Sequence, residues 1–151
     1  MFFDPGSHKQ HGLRHDPFKA IVSPRPIGWI SSVSADGRHN LAPYSFFNAM
    51  SYGPPIVAFG AGNRPGGGKK DSIRNIEETG EFVHNVVSYA LSDKMNETSV
   101  HIPHGESEFE HSGLEGLPST KVKPLRVKGS PIHLECRYMQ TVDLPSWHEI
   151  G

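Results

Sequence analysis

The chain has 151 residues, the size of one domain, and its 15 Lys and Arg nearly cancel its 16 Asp and Glu. That balance argues against bulk nucleic-acid binding and against polybasic attachment to a membrane. A lone cysteine, Cys136, excludes an intrachain disulfide and a C-x-x-C metal or redox centre, while 16 Gly and 13 Pro point to a turn-rich chain.

The first 19 residues are polar, with His8, His11 and His15 among Gly, Lys and Asp, and read as an irregular arm. The opening MFFDPG lacks the basic and apolar regions of a secretory signal. Ala20-Ile21-Val22 is an apolar run stopped by Ser23-Pro24-Arg25-Pro26, where two prolines impose extended backbone. Residues 28–34 alternate large apolar with small polar side chains and predict a strand. Asp36-Gly37 then supplies a hairpin turn, so Arg38 to Tyr44 run back antiparallel. Pro55 to Gly60 is a further strand around its Ile-Val-Ala-Phe core. The longest uncharged apolar stretch, 54–62, is far too short to span a bilayer, and a soluble, cytoplasmic single domain is expected.

Beyond the glycine-rich stretch 60–70, Asp71-Ser72 starts a helix that carries Ile73, Ile76 and Thr79 on one face and ends at Gly80. Glu81 to Val87 reads as a strand and Ala90 to Glu97 as a short helix. Residues 101–120 are acidic and broken by Pro and Gly, with a helix around Ser107 to His111. Pro131 to Leu144 is a long strand candidate. Strands outnumber helices, without the strand-helix alternation of a parallel Rossmann sheet. An antiparallel barrel with a few short peripheral helices fits better.

Two segments carry candidate chemistry. In Gly66-Gly67-Gly68-Lys69-Lys70-Asp71-Ser72, lysines and a hydroxyl meet a helix start whose free N–H groups attract anions. The segment is either a phosphate cradle or a solvated loop whose Asp71 or Ser72 caps the helix. It is no Walker A loop, since Lys70 follows Lys69 rather than Gly, and GAGNRP misses the GxGxxG spacing. Residues 40–51 set three aromatics among Ser and Asn. They either wall a planar ligand or fill the core while Ser and Asn make turns. The histidines His8, His11, His15, His101, His104 and His111 have loose ligand spacing but no accompanying carboxylate or Cys pattern, so no metal is expected. Cys136 reads as packing rather than a nucleophile, and no Gly-x-Ser-x-Gly elbow is present.

Taken in order, the strings SPRPIGWISSVSADG (23–37), NLAPYSFFNAMS (40–51), PPIVAF (54–59) and KDSIRNIEETGEF (70–82) resemble the flavin reductase-like, FMN-binding split-barrel family. The likeness runs from about Phe2 to Leu144. It implies a mainly β, antiparallel Greek-key split barrel, a homodimer, bound FMN, and reduction by NADH or NADPH as hydride donor. By the same resemblance, Tyr44, Ser45, Phe46 and Phe47 line the flavin ring, with Asn48 and Ser51 nearby. Trp29, Ser31 and Ser32 form the adjoining strand face. Lys70, Asp71 and Ser72 mark the phosphate end, with Lys69 a second cation. No catalytic acid or base is assigned, because the flavin carries the redox chemistry. The alternatives are a non-enzymatic FMN electron carrier, flavoredoxin-like, or an incomplete domain without activity. The loop 60–69 is richer in glycine than is usual for the family. Relatives continue with further strands beyond 147–151, so the single domain 1–151 is expected to lack barrel-closing strands.

Overall fold

Asp36 and Gly37 turn the chain between β1 (Gly28–Val33) and β2 (His39–Tyr44), with Gly37 at φ +87°. Ser34 clamps this turn: its carbonyl accepts from Gly37 N–H at 2.9 Å and its Oγ from Arg38 N–H at 3.0 Å. The computed structural model describes residues 4–64, 67–100, 102 and 106–145. On its other edge β1 pairs with β5 (Glu81–Asn85), which pairs with β8 (His133–Arg137), giving an antiparallel sheet ordered β2-β1-β5-β8. A separate hairpin joins β3 (Phe47–Tyr52) to β4 (Pro55–Phe59), and β6 (Gly116–Leu117) pairs with β7 (Arg126–Val127). The architecture is mainly β with short helices: α1 (Phe18–Ile21), α2 (Asp71–Thr79), α3 (Ser92–Glu97) and α4 (Glu108–Ser112).

Every residue of β1 is buried because both faces of the strand are covered. Successive side chains of a strand point to opposite faces. Trp29 accordingly joins Leu41, Phe109 and Val127 on one side, while Ile30 joins Tyr44, Ile76 and Phe82 on the other. Trp29 is 0% exposed, and its indole Nε1 donates to Thr98 Oγ1 at 2.9 Å. The helix α2 lies across β1 and β2 with Ile76 turned into the second core, and Gly80 ends it at φ +75°.

The structure departs from the expected elements in four places. The strand expected over Pro131 to Leu144 is limited to His133–Arg137 because its partner β5 is only five residues long. One residue further on, Tyr138 N–H bonds Gly80 O, where α2 turns into β5. The arm contains a 3-10 turn at His8–His11 and the short α1, whose Phe18 N–H is accepted by Asp16. The helix expected from Ala90 divides into a 3-10 turn at Tyr89–Leu91 and α3. Strand β3 follows β2 almost at once and contains a bulge between Ala49 and Ser51, which breaks the alternation that marks strands in sequence.

Gly28 fixes the approach of the two sheets. A Cβ there would lie 2.5 Å from Phe47 Cδ2, so the Phe47 ring rests directly on the β1 backbone. Gly28→Ala should destabilise the fold by about 1–3 kcal/mol through overpacking. Urea unfolding measures it, and an unchanged midpoint would mean that Phe47 moves freely.

Candidate functional site

Between β2 and β3 the chain leaves the main sheet, and Ser45, Phe46, Phe47 and Asn48 line a cavity of about 410 Å³. Arg25, Met50 and Phe59 also line it. The Arg25 guanidinium lies over the Phe46 ring, 5.3 Å from its centroid. Its Nη1 is buried with no hydrogen-bond partner among the described residues. A buried, unpaired donor is costly until an acceptor reaches it. Behind the cavity, the Phe47 ring packs on the His84 imidazole with centroids 4.3 Å apart. Burial lowers the His84 pKa from its ordinary value, favouring the neutral ring.

The start of α2 forms a second feature. Lys70 stands at the N-cap and makes no side-chain capping bond, so the first-turn N–H groups have no side-chain acceptor from it. Its ammonium sits 5.6 Å from the centre of the Tyr44 ring and forms no ion pair among the described residues. Lys69 is instead committed to Glu77 at 2.7 Å. Asp71 in the first turn is held between Arg64 and Arg74.

A buried polar network ties this helix start to the sheet. Ser72 Oγ donates to Asn40 Oδ1 at 2.6 Å, and Asn40 Nδ2 donates to both Glu108 oxygens at 2.7 Å. Leu41 N–H donates to Glu108 as well, at 3.0 Å. Glu108 is only 8% exposed, and burial pushes its pKa up against the pull of these hydrogen bonds. Burial likewise pushes the Tyr44 phenol up to about 12.

The residues anticipated from sequence fall into three groups. Ser45, Phe46, Phe47 and Asn48 line the cavity together, while Ser51 lies exposed further along β3. Lys70, Asp71 and Ser72 gather at the start of α2, with Ser72 buried and bonded inward and Lys69 paired away. Trp29, Ser31 and Ser32, expected as the adjoining strand face, do not line the cavity and are all 0% exposed. Ser31 Oγ bonds Leu125 O, and Ser32 Oγ lies between Asn75 Nδ2 and Asn40 Oδ1. They support the site from within. Tyr44 is also set behind it, in the core with Ile30 and Ile76. Arg25 and Glu108 were missed. Arg25 stood between prolines that explained the segment as backbone punctuation, and Glu108 stood in an acidic stretch with no motif.

Of the histidines, His101 and His104 lie outside the described residues, as do Gly66 and residues 147–151. Among the described residues, no three or more His, Cys, Asp or Glu are placed to hold a metal ion. None of the described helices is long and apolar enough to cross a membrane.

Comparison with known proteins decides the family. Residues 22–150 match the Flavin reductase like domain. The chain belongs to this family. An uncharacterized protein of Aquifex aeolicus is 39% identical over 130 residues, covering 86% of this chain and 66% of its own length. The chain thus spans just under two thirds of that relative's length. Nitrilotriacetate monooxygenase component B from Bacillus cereus is 29% identical, with a TM-score of 0.85 over 99% of this chain and 73% of its own. A Shewanella frigidimarina protein with a split barrel domain superposes with a TM-score of 0.76 over 95% of this chain and 71% of its own, at 23% identity. The fold is therefore that of the split-barrel flavin reductase-like proteins.

The donor set of the cavity suits a flavin. Aromatic rings flank a space of suitable size and an unpaired guanidinium N–H is available to a polar ring edge, while the uncapped start of α2 beside Lys70, which does not line the cavity, is a separate feature that favours anions.

Proposed function

We propose that the chain binds FMN and acts in the cytoplasm as an NAD(P)H-dependent flavin reductase, assembled as a homodimer. Membership of a flavin reductase-like family supports the redox class. The observation that carries the assignment of the site is the unpaired Arg25 Nη1 in an aromatic-lined cavity. Bound flavin would supply the redox chemistry, with NADH or NADPH as hydride donor and a separate electron acceptor. Phe46 and Phe47 shield the ring system from water, Asn48 and Ser45 offer polar contacts, and Arg25 answers its electron-rich edge. Lys70 and the first-turn N–H groups of α2 take the terminal phosphate. Exposed Met50 and Tyr52 on β3, 64% and 97% accessible, offer an apolar face for a second copy.

Anaerobic stopped-flow mixing of the FMN-loaded protein with NADH and with NADPH tests the reaction. Rapid flavin bleaching that saturates with nicotinamide supports the reductase. No bleaching with either, alongside ready reduction by dithionite, makes the protein an electron carrier. Sedimentation at micromolar concentration checks the dimer. Lys70→Met should weaken FMN about tenfold and leave riboflavin unchanged, the scale of one charge-assisted contact. Equal losses in titrations of the two flavins would remove Lys70 from the phosphate site.

A further inference from the structure

The hydrogen-bond network at the start of α2 has a direction, and one residue sets it. An ionised carboxylate only accepts hydrogen bonds. Both Glu108 oxygens face the Asn40 amide at 2.7 Å, so Asn40 must turn its Nδ2 toward them and its Oδ1 away. That oxygen then draws the hydroxyl hydrogens of Ser72 at 2.6 Å and Ser32 at 3.4 Å. Ser32 Oγ, its own proton used, accepts from Asn75 Nδ2 at 3.3 Å. Each bond follows from the one before. Leu41 N–H fixes the carboxylate from the other side, so Glu108 cannot turn to relax the constraint.

A serine has one proton to donate. With that proton given to Asn40, Ser72 presents only lone pairs to any anion at the helix start. We propose that Glu108, acting through Asn40, is a positioning residue that withholds the Ser72 hydroxyl from the phosphate end of the flavin site, leaving recognition there to Lys70 and backbone N–H groups. The proposal rests on the FMN reading of the site. In Glu108→Gln the oxygen stays on Leu41 N–H and the nitrogen takes the other place facing Asn40 Nδ2, so one acceptor becomes a donor and the amide is no longer held in one orientation. Turned over, it points Nδ2 at Ser72 and leaves the Ser72 proton free of Asn40.

Three variants of the full chain test this: Ser72→Ala, Glu108→Gln and the double variant, each titrated with FMN and with riboflavin. Ser72→Ala alone should leave the FMN-to-riboflavin affinity ratio unchanged, because the hydroxyl donates inward. A selective loss of FMN would overturn the proposal, and this arm needs no change at Glu108. Glu108→Gln should raise the ratio about tenfold, the scale of one new hydrogen bond to a charged group. The double variant should cancel that gain. A gain that survives loss of the hydroxyl reflects removal of a negative charge alone, and overturns the relay. In the protein without flavin, the side-chain amide signals of Asn40 in a nitrogen-proton correlation spectrum should shift markedly in Glu108→Gln, and unmoved signals would count against the relay. If neither flavin binds, the cofactor reading fails, while the Asn40 signals still decide whether Glu108 sets the direction of the network.

Discussion

Trp29→Ala is expected to destabilise the protein by about 3–5 kcal/mol, the range for removing a fully buried large aromatic side chain. The side chain is 0% exposed and packs with Leu41, Phe109 and Val127, so its removal opens a cavity where sheet and helices meet. Against a typical total of about 5–15 kcal/mol for a single domain, a large share of the folding free energy is at stake. Trp29→Phe keeps much of the packing and loses the 2.9 Å bond to Thr98, for a smaller loss of about 1–3 kcal/mol. Urea titrations of both variants would show the order. A loss below that of Trp29→Phe for the alanine variant would mean that the core closes around the gap. Gly28 and Ile30 flank Trp29 on the strand, so flavin binding should fail in Trp29→Ala only as the fold fails.

The second large effect concerns redox energetics. Arg25→Met retains a stem to cover Phe46 but removes the guanidinium. Reduction makes the polar edge of a flavin more electron-rich, so the lost contact matters more for reduced than for oxidised FMN. One hydrogen bond to a charged group contributes about 1.5–3 kcal/mol, and affinity for dithionite-reduced FMN should fall about 10- to 100-fold more than for oxidised FMN. Parallel anaerobic titrations read the difference, which also appears as a lower midpoint potential. Equal losses for both forms would show that Arg25 meets a part of the ligand that does not change on reduction.

How much was legible in the sequence follows from how local each signal is. The β1–β2 hairpin was readable because Asp36-Gly37 encodes its turn directly and the strands flank it. Helix α2 was readable from its amphipathic spacing and terminal glycine. Strand β3 was not, because the bulge near Met50 shifts the side-chain parity within six residues. The cavity-lining run 45–48 carries its own aromatic density, so resemblance placed it directly. For Trp29, Ser31 and Ser32, sequence likeness gave nearness to the site but no side-chain direction. A strand covered on both faces buries them all. Glu108 and Asn40 are 68 residues apart, and their contact arises only when α4 packs on β2.

The Phe47 ring of the cavity joins two units that are held in different ways. On one side Gly28, under that ring, belongs to β1, which is buried along its length and paired on both edges, so its amides should exchange hydrogen only when the whole domain unfolds. On the other side the β3–β4 hairpin is a two-stranded unit with most residues of β3 exposed. Its amides should exchange through local opening at far lower free energy. A loosely held hairpin resting on a fixed strand would let a flat ligand enter and leave by hairpin excursions while the core stays intact. On the FMN reading, the residence time of the flavin would be governed by how often this hairpin lifts, and a second copy packed on Met50 and Tyr52 should lengthen it.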